Sequence, residues 1–264
     1  MAMDFGKEKF DIILLAGQSN AEGSGVGPTK EEYLPDGKVF HMFGSRRLVE
    51  KKWVVEFPVE ISIEETDSTK KDDLAVPFAH EYKSRGLLKE DRKLLIIDTG
   101  LGATAFLNGY WKPEDPGYKR MRYMLGCALN MNPENRVVAV LWHQGESDAT
   151  SNATYEEHYA NLTRLFADMR KQAENEELPI IAADFCYQWK STHEEMCAPV
   201  VKAIRDALTD VGGEFIETAD LPSNHQDGTR EGDYIHFSRN AVHILGRRYF
   251  DAYEKIISRK DRNV

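Results

Sequence analysis

The chain has 264 residues, 41% of them hydrophobic and 30% charged, which fits one globular domain over residues 1–264 and excludes wholesale disorder. Its formal net charge of −10, with no long Lys/Arg block, argues against nucleic acid or an anionic membrane as a partner. Three scattered cysteines, Cys127, Cys186 and Cys197, offer neither a disulfide framework nor zinc-ligand spacing and are expected to be reduced, buried thiols.

The first ten residues carry Asp4, Lys7, Glu8 and Lys9 ahead of a short apolar run, unlike a signal peptide, so a cytoplasmic location is expected. No apolar stretch approaches the roughly 20 residues of a membrane helix. Phe10 to Ala16 is then a buried strand, followed by Gly17, Gln18, Ser19 and Asn20. A serine at the end of a central strand lies where open α/β sheets bind ligands. Lys38 to Phe43 is a short strand, and Gly44 to Asp73 is expected to be irregular, charge-rich surface loop.

Leu74 to Arg85 has apolar residues at helical spacing, and Leu94 to Asp98 is a strand that runs into Thr99, Gly100, Leu101, Gly102, Ala103 and Thr104. Tyr118 to Met131 is a helix, and Val137 to Trp142 a strand of the fully buried kind. After it come His143, Gln144, Gly145, Glu146, Ser147 and Asp148. Thr154 to Ala173 is an amphipathic helix whose Tyr155, Tyr159 and Phe166 stripe is assigned to the core. Ile180 to Phe185 is a strand, Ala198 to Leu208 a helix, Glu214 to Thr218 a short strand and Asn240 to Ile257 the closing helix. Strands alternating with helices imply a mainly parallel sheet covered on both faces.

Ser19 becomes a nucleophile only with a base, an orienting acid and oxyanion donors. His236 can supply the base, with Asp233 three residues upstream to hold its second nitrogen. The backbone N–H groups of Ser19 and Gly102 and the side-chain amide of Gln144 are candidate donors for a tetrahedral intermediate. Gln18, Asn20 and His143 suit either a pocket or buried hydrogen bonding. Trp111, His41 and Arg46 could form a wall facing a sugar, with core packing for Trp111 and surface exposure for the other two as the plainer readings. No set of His, Asp and Glu has metal-ligand spacing, and the glycines form neither a phosphate loop nor a dinucleotide fingerprint.

Four blocks, Gly17 to Asn20, Gly102 to Thr104, Trp142 to Asp148, and Asp233 with His236 and Phe237, together resemble the SGNH hydrolase superfamily. Within it they are similar to the sialate O-acetylesterase-like branch and to the acetylxylan esterases of carbohydrate esterase family six. The resemblance runs from about Phe10 to Tyr249 and implies a three-layer α/β/α fold with a flavodoxin-like, mainly parallel sheet. It implies a serine esterase removing O-acetyl groups from a carbohydrate, without a cofactor, with Ser19 as nucleophile, His236 as base and Asp233 as its orienter. Ser19, Gly102 and Gln144 would form the oxyanion hole. Ala103 stands where a second glycine is frequent, and Gln144 where many superfamily members have asparagine. Glu146 is the competing acid; with Asp233 in that role, Glu146 is expected to fix the amide of Gln18 or Gln144. Outside catalysis, the same fold would serve a carbohydrate-binding or regulatory protein, and within the mechanism a short-chain lipase or thioesterase is the lesser alternative.

Overall fold

The computed structural model describes residues 4–50 and 52–261. Strand β1 (Lys9–Gly17) is followed by a single helical turn, α1 (Ser19–Glu22), then β2 (Val39–Gly44), a small hairpin of β3 (Arg47–Val49) and β4 (Lys52–Val54), and β5 (Ile61–Glu65). Helix α2 (Ala75–Ser84), β6 (Arg92–Asp98), α3 (Pro116–Met131) and β7 (Arg136–His143) come next. The chain continues through α4 (Glu146–Thr150), α5 (Tyr155–Gln172), β8 (Ile180–Ala183), α6 (Tyr187–Ser191), α7 (Glu194–Asp210), β9 (Glu214–Ile216) and α8 (Arg239–Asp261).

Seven strands form one sheet in the order β5-β2-β6-β1-β7-β8-β9, parallel except for β5 at the edge. In a flavodoxin-like order the second strand adjoins the first; here β6 lies between them. Along β1, Ile12, Leu14 and Ala16 pack into the core shared with α3, α5 and α7, while Ile13 and Leu15 face the core shared with α2 and α8. Alternate side chains of a strand point to opposite faces, so a strand covered on both sides must be apolar throughout. That is why β1 and β7 read as continuous apolar runs.

The segment expected to be irregular holds three strands. Ile63 pairs with Met42 and Ile61 with Gly44, so β5 extends the sheet by antiparallel addition. Edge strands need only one apolar face, and Ser62 and Glu64 are exposed. Two isoleucines among polar residues are too faint a signal to read alone. Helix α7 also starts four residues earlier than its apolar pattern indicates, so Pro199 lies beyond its first turn. On α5, Phe166 is buried as expected, whereas Tyr155 and Tyr159 are half-buried, stack on each other and donate to Asp206 and Asp210 of α7. Cys186 and Cys197 are buried and Cys127 is half-buried; all three are free. Among the described residues no helix is long and apolar enough to cross a membrane.

From β1 the chain builds β2 and β6 on one side and returns to build β7, β8 and β9 on the other. The winding therefore reverses at the β1/β7 pair, which opens a crevice beyond the carboxyl ends of those strands. Ser19 leaves β1 at that point, and the segment Gln144 to Asp148 leaves β7 beside it.

Candidate active site

Gly17 brings the end of β1 against β7. Its φ is +140°, and a Cβ there would meet the His143 carbonyl oxygen at 2.1 Å, so only glycine fits. The Gln18 N–H donates to that same carbonyl at 2.9 Å, and the chain then turns into α1 with Ser19 as its first residue. A first helical residue has its N–H outside the intrahelical ladder.

His236 Nε2 lies 2.9 Å from Ser19 Oγ, and His236 Nδ1 lies 2.8 Å from Asp233 Oδ1. The backbone N–H of His236 also donates to Asp233 Oδ1, at 3.3 Å, which closes the Asp-x-x-His segment into a tight turn. Asp233 Oδ2 accepts from the Asn224 amide at 2.8 Å, with Arg230 at 3.4 Å. Burial alone would raise the Asp233 carboxyl, but the Asn224 amide and the charge and hydrogen bonds of His236 outweigh it and hold the carboxyl below its ordinary range. Asn224 was not singled out from sequence. It also donates to Ser24 O and accepts from Val26 N–H, so it ties the loop after Ser19 to Asp233.

Asn20 braces the other side of His236. Its Nδ2 donates to Ile235 O at 3.1 Å and its Oδ1 accepts from Phe237 N–H at 3.2 Å, one contact on each flank of the histidine. The same Nδ2 donates to Glu146 Oε1 at 2.8 Å. Glu146 therefore fixes Asn20, not the amides expected from sequence: Gln18 Oε1 accepts from Ser147 N–H, and Gln144 is held by Asp148. Burial pushes the Glu146 carboxyl up to about 7. His143 is buried too, its Nδ1 3.1 Å from the Tyr249 hydroxyl, and burial pushes its imidazole down to about 3. Gln18, Asn20, His143 and Glu146 are at most 2% exposed, so all four support the site from behind and none lines a pocket.

The oxyanion side departs from expectation. Gly102 N–H donates to Glu22 Oε2 at 2.7 Å, and Gly102 O accepts from Trp53 Nε1 at 3.1 Å. Glu22 Oε1 is 2.5 Å from Arg46 Nη2, and the Arg46 guanidinium lies 5.4 Å from the centre of the Trp53 ring. Gln144 Nε2 spends its two protons on Asp148 Oδ2 at 2.6 Å and Thr104 O at 3.2 Å, so the amide expected as an oxyanion donor is committed within the protein. Ala103 adopts φ +60°, the left-handed conformation for which a glycine is better suited.

Of the proposed sugar-facing wall, Trp111 and His41 are buried: Trp111 Nε1 donates to Thr104 Oγ1, and His41 lies between Asp73 and Thr66. Only Arg46 reaches the site. Glu22 and Trp53, absent from the sequence reading, join it there. Trp53 sits on the small hairpin, a position that nothing local connects to Gly102.

A single, mainly parallel sheet between two helical layers, with a serine leaving its central strand toward an Asp-x-x-His turn, has the SGNH hydrolase fold. Residues 9–255 match the family described as carbohydrate esterase, sialic acid-specific acetylesterase, and the chain belongs to that family. By that membership it is a carbohydrate esterase. Among solved structures it is similar to NanS, with a TM-score of 0.77 at 17% identity over 96% of this chain and 99% of the other. It is also similar to a protein from Arabidopsis thaliana, with a TM-score of 0.64 at 18% identity over 93% and 98% of the two chains. A carbohydrate acetylesterase from Xanthomonas citri gives a TM-score of 0.64 at 14% identity, covering 93% of this chain and 56% of that one. At such identities the likeness is one of fold. The comparison with curated protein sequences returned no match.

Proposed function

We propose that the chain is a serine esterase that removes O-acetyl groups from a carbohydrate through an acetyl-enzyme intermediate. The observation that carries this reading is the continuous hydrogen-bonded path from Ser19 Oγ through His236 to Asp233, at 2.9 and 2.8 Å. His236 Nε2 takes the Ser19 proton as Oγ attacks the acetyl carbonyl carbon, and the carbonyl oxygen becomes an oxyanion. The N–H groups of Ser19 and Gly102 are assigned to that oxygen. Gln144 instead holds Thr104 O and so shapes the Gly102 to Thr104 loop. Collapse of the intermediate expels the sugar alkoxide, which takes the proton from His236. Water then attacks the acetyl carbon, giving a proton to His236, and as the bond to Oγ breaks Ser19 takes that proton back from His236 and acetic acid leaves, to ionise in solution.

Asp233 keeps the imidazole in the tautomer with hydrogen on Nδ1 and stabilises its charged form. Glu146 is not in this path, since its contact is Asn20. The substrate class rests on the family and on the resemblance to acetylesterases, which together favour an acetylated sugar of the sialate or xylan type and a short acyl group. An intact and connected Ser-His-Asp set also counts against a protein that only binds carbohydrate.

Ser19→Ala and His236→Ala are each expected to lower acetate release from acetylated sialic acid or acetylated xylo-oligosaccharides by about 10⁴-fold or more, with unfolding midpoints unchanged. A fluorophosphonate should label Ser19 in the native protein and fail on Ser19→Ala. Near-normal turnover in either variant would overturn the assignment.

A further inference from the structure

While Glu22 stays where it is, the Gly102 N–H is not available to an ester held at Ser19. A Cβ placed on Gly102 would lie 3.3 Å from Glu22 Oε2 and 3.6 Å from Ser19 Cβ, so the carboxylate oxygen and the nucleophile border the same small space. The Gly102 N–H that should meet a developing oxyanion already donates to that carboxylate at 2.7 Å. One N–H cannot serve two anions, and a carboxylate left beside the tetrahedral intermediate would repel it. Glu22 must therefore give up this bond during turnover.

It keeps a partner when it does so. Arg46 Nη2 holds the other oxygen at 2.5 Å, and Trp53, which lies beneath the guanidinium, separately fixes the Gly102 peptide through its carbonyl. Lys71 Nζ bonds the Glu22 backbone carbonyl, so the main chain stays in place while the carboxylate moves. The side chains of Glu22 and Arg46 are 24% and 22% exposed, within reach of a bound substrate. The vacated carboxylate oxygen lacks only a donor, and a hydroxyl supplies one.

We propose that Glu22 is a specificity-determining residue. Its carboxylate exchanges the Gly102 N–H for a hydroxyl on the alcohol part of the ester, which makes oxyanion stabilisation depend on a hydroxylated leaving group. With such an alcohol the number of hydrogen bonds is conserved: Gly102 N–H passes to the ester oxygen and the substrate O–H replaces it at Glu22. With an alcohol lacking hydroxyls Glu22 loses a bond, and attack competes against its return. A sugar commonly carries such a hydroxyl near an acetylated position; a simple alkyl ester has none. This inference rests on the esterase reading and deepens it.

The test compares 1-O-acetylglycerol with propyl acetate, which matches its chain length without the hydroxyls, by acetate release from the full chain. Wild type is expected to favour acetylglycerol by about 10-fold or more in kcat/KM, well below the discrimination of a fully enclosed hydroxyl site because Glu22 is partly exposed. In Glu22→Ala, propyl acetate hydrolysis should rise several-fold and the preference fall to within about twofold. Glu22→Gln, nearly isosteric, keeps an acceptor without the charge. It should lie between the two, and it serves as the readout if the alanine variant does not fold. A wild-type preference under about threefold, a ratio unchanged in both variants, or a parallel fall on both esters with unfolding midpoints unchanged would overturn the role of Glu22. Failure of the esterase reading looks different: wild type would hydrolyse neither ester and Ser19 would escape fluorophosphonate labelling.

Discussion

The two sides of Ser19 are built differently. On the side of the proposed base, Asn224 holds Asp233, Asp233 holds His236, and Asn20 braces the backbone on either flank of the histidine, so each group already faces the partner the proposed mechanism requires. On the oxyanion side, the Gly102 N–H and the Gln144 amide are satisfied by the protein's own carboxylates. The difference follows from what each side must do between turnovers. A base can wait with its hydrogen bonds made, because the serine proton it will receive is already at hand. An oxyanion donor awaits a charge that exists only during reaction, and a buried or half-buried N–H left without an acceptor is costly.

The largest break in this contrast is expected from Asp233→Asn. An amide in place of the carboxylate can donate to Nδ1 and so leave His236 in the wrong tautomer, which should lower kcat by about 10⁴-fold, as in the serine protease triad, whereas Glu146→Gln should cost less than about 10-fold. Steady-state kinetics on an acetyl ester would rank the two acids, and the reverse order would transfer the orienting role to Glu146. A smaller effect is expected from Asn20→Ala, which leaves the triad side chains intact but removes both braces on the His236 backbone. A fall in kcat of about 10- to 100-fold with KM little changed would be consistent with misplacement of the base. The same variant should also lose about 1–3 kcal/mol of stability in denaturant titration, because the Glu146 carboxylate loses its amide donor.

The two acids should also oppose each other in the pH dependence of stability. Glu146 is raised from 4.5 to about 7 by burial, so the folded chain binds its proton more tightly than the unfolded one. That contribution is fully present below pH 4.5 and fades as pH rises toward 7. Asp233 is lowered, so its contribution is present at neutral pH and fades as pH falls through its folded value. Unfolding midpoints measured between pH 5 and pH 8 should therefore fall less steeply for Glu146→Gln than for wild type. A parallel pair of curves would contradict the buried, protonated environment of Glu146. The smallest effect concerns the oxyanion loop itself: Ala103→Gly, at φ +60°, should be neutral or stabilise the fold by about 1 kcal/mol in denaturant titration, with activity retained.

How much was legible in the chain depended on whether the signal was local. Buried parallel strands such as β1 and β7 announce themselves because both faces must be apolar, and the Asp-x-x-His turn because three residues suffice to bring Asp233 Oδ1 to His236 Nδ1. Ser19 was legible as the residue that follows a central strand. Edge strand β5 was not, since it needs only one apolar face and takes its register from β2.

Beyond the pairing of Ser19 with His236, the hydrogen-bond partnerships of the crevice were not legible. Gln18 with Ser147 and Asn20 with Glu146 span 129 and 126 residues, and Trp53 with Gly102 spans 49. By itself the sequence determined the alternation of strands and helices, the place of Ser19 after a central strand and the closeness of Asp233 to His236 in one short turn, because hydrophobic periodicity and short-range chain geometry act over a few residues. Only the tertiary structure decided that Glu146 turns to Asn20, that Gln144 is spent on Asp148, and that Glu22 occupies the Gly102 N–H. Those outcomes depend on competition among several donors and acceptors for the same partners, and that competition is resolved only when the ends of β1, β6 and β7 and the β3–β4 hairpin are packed together.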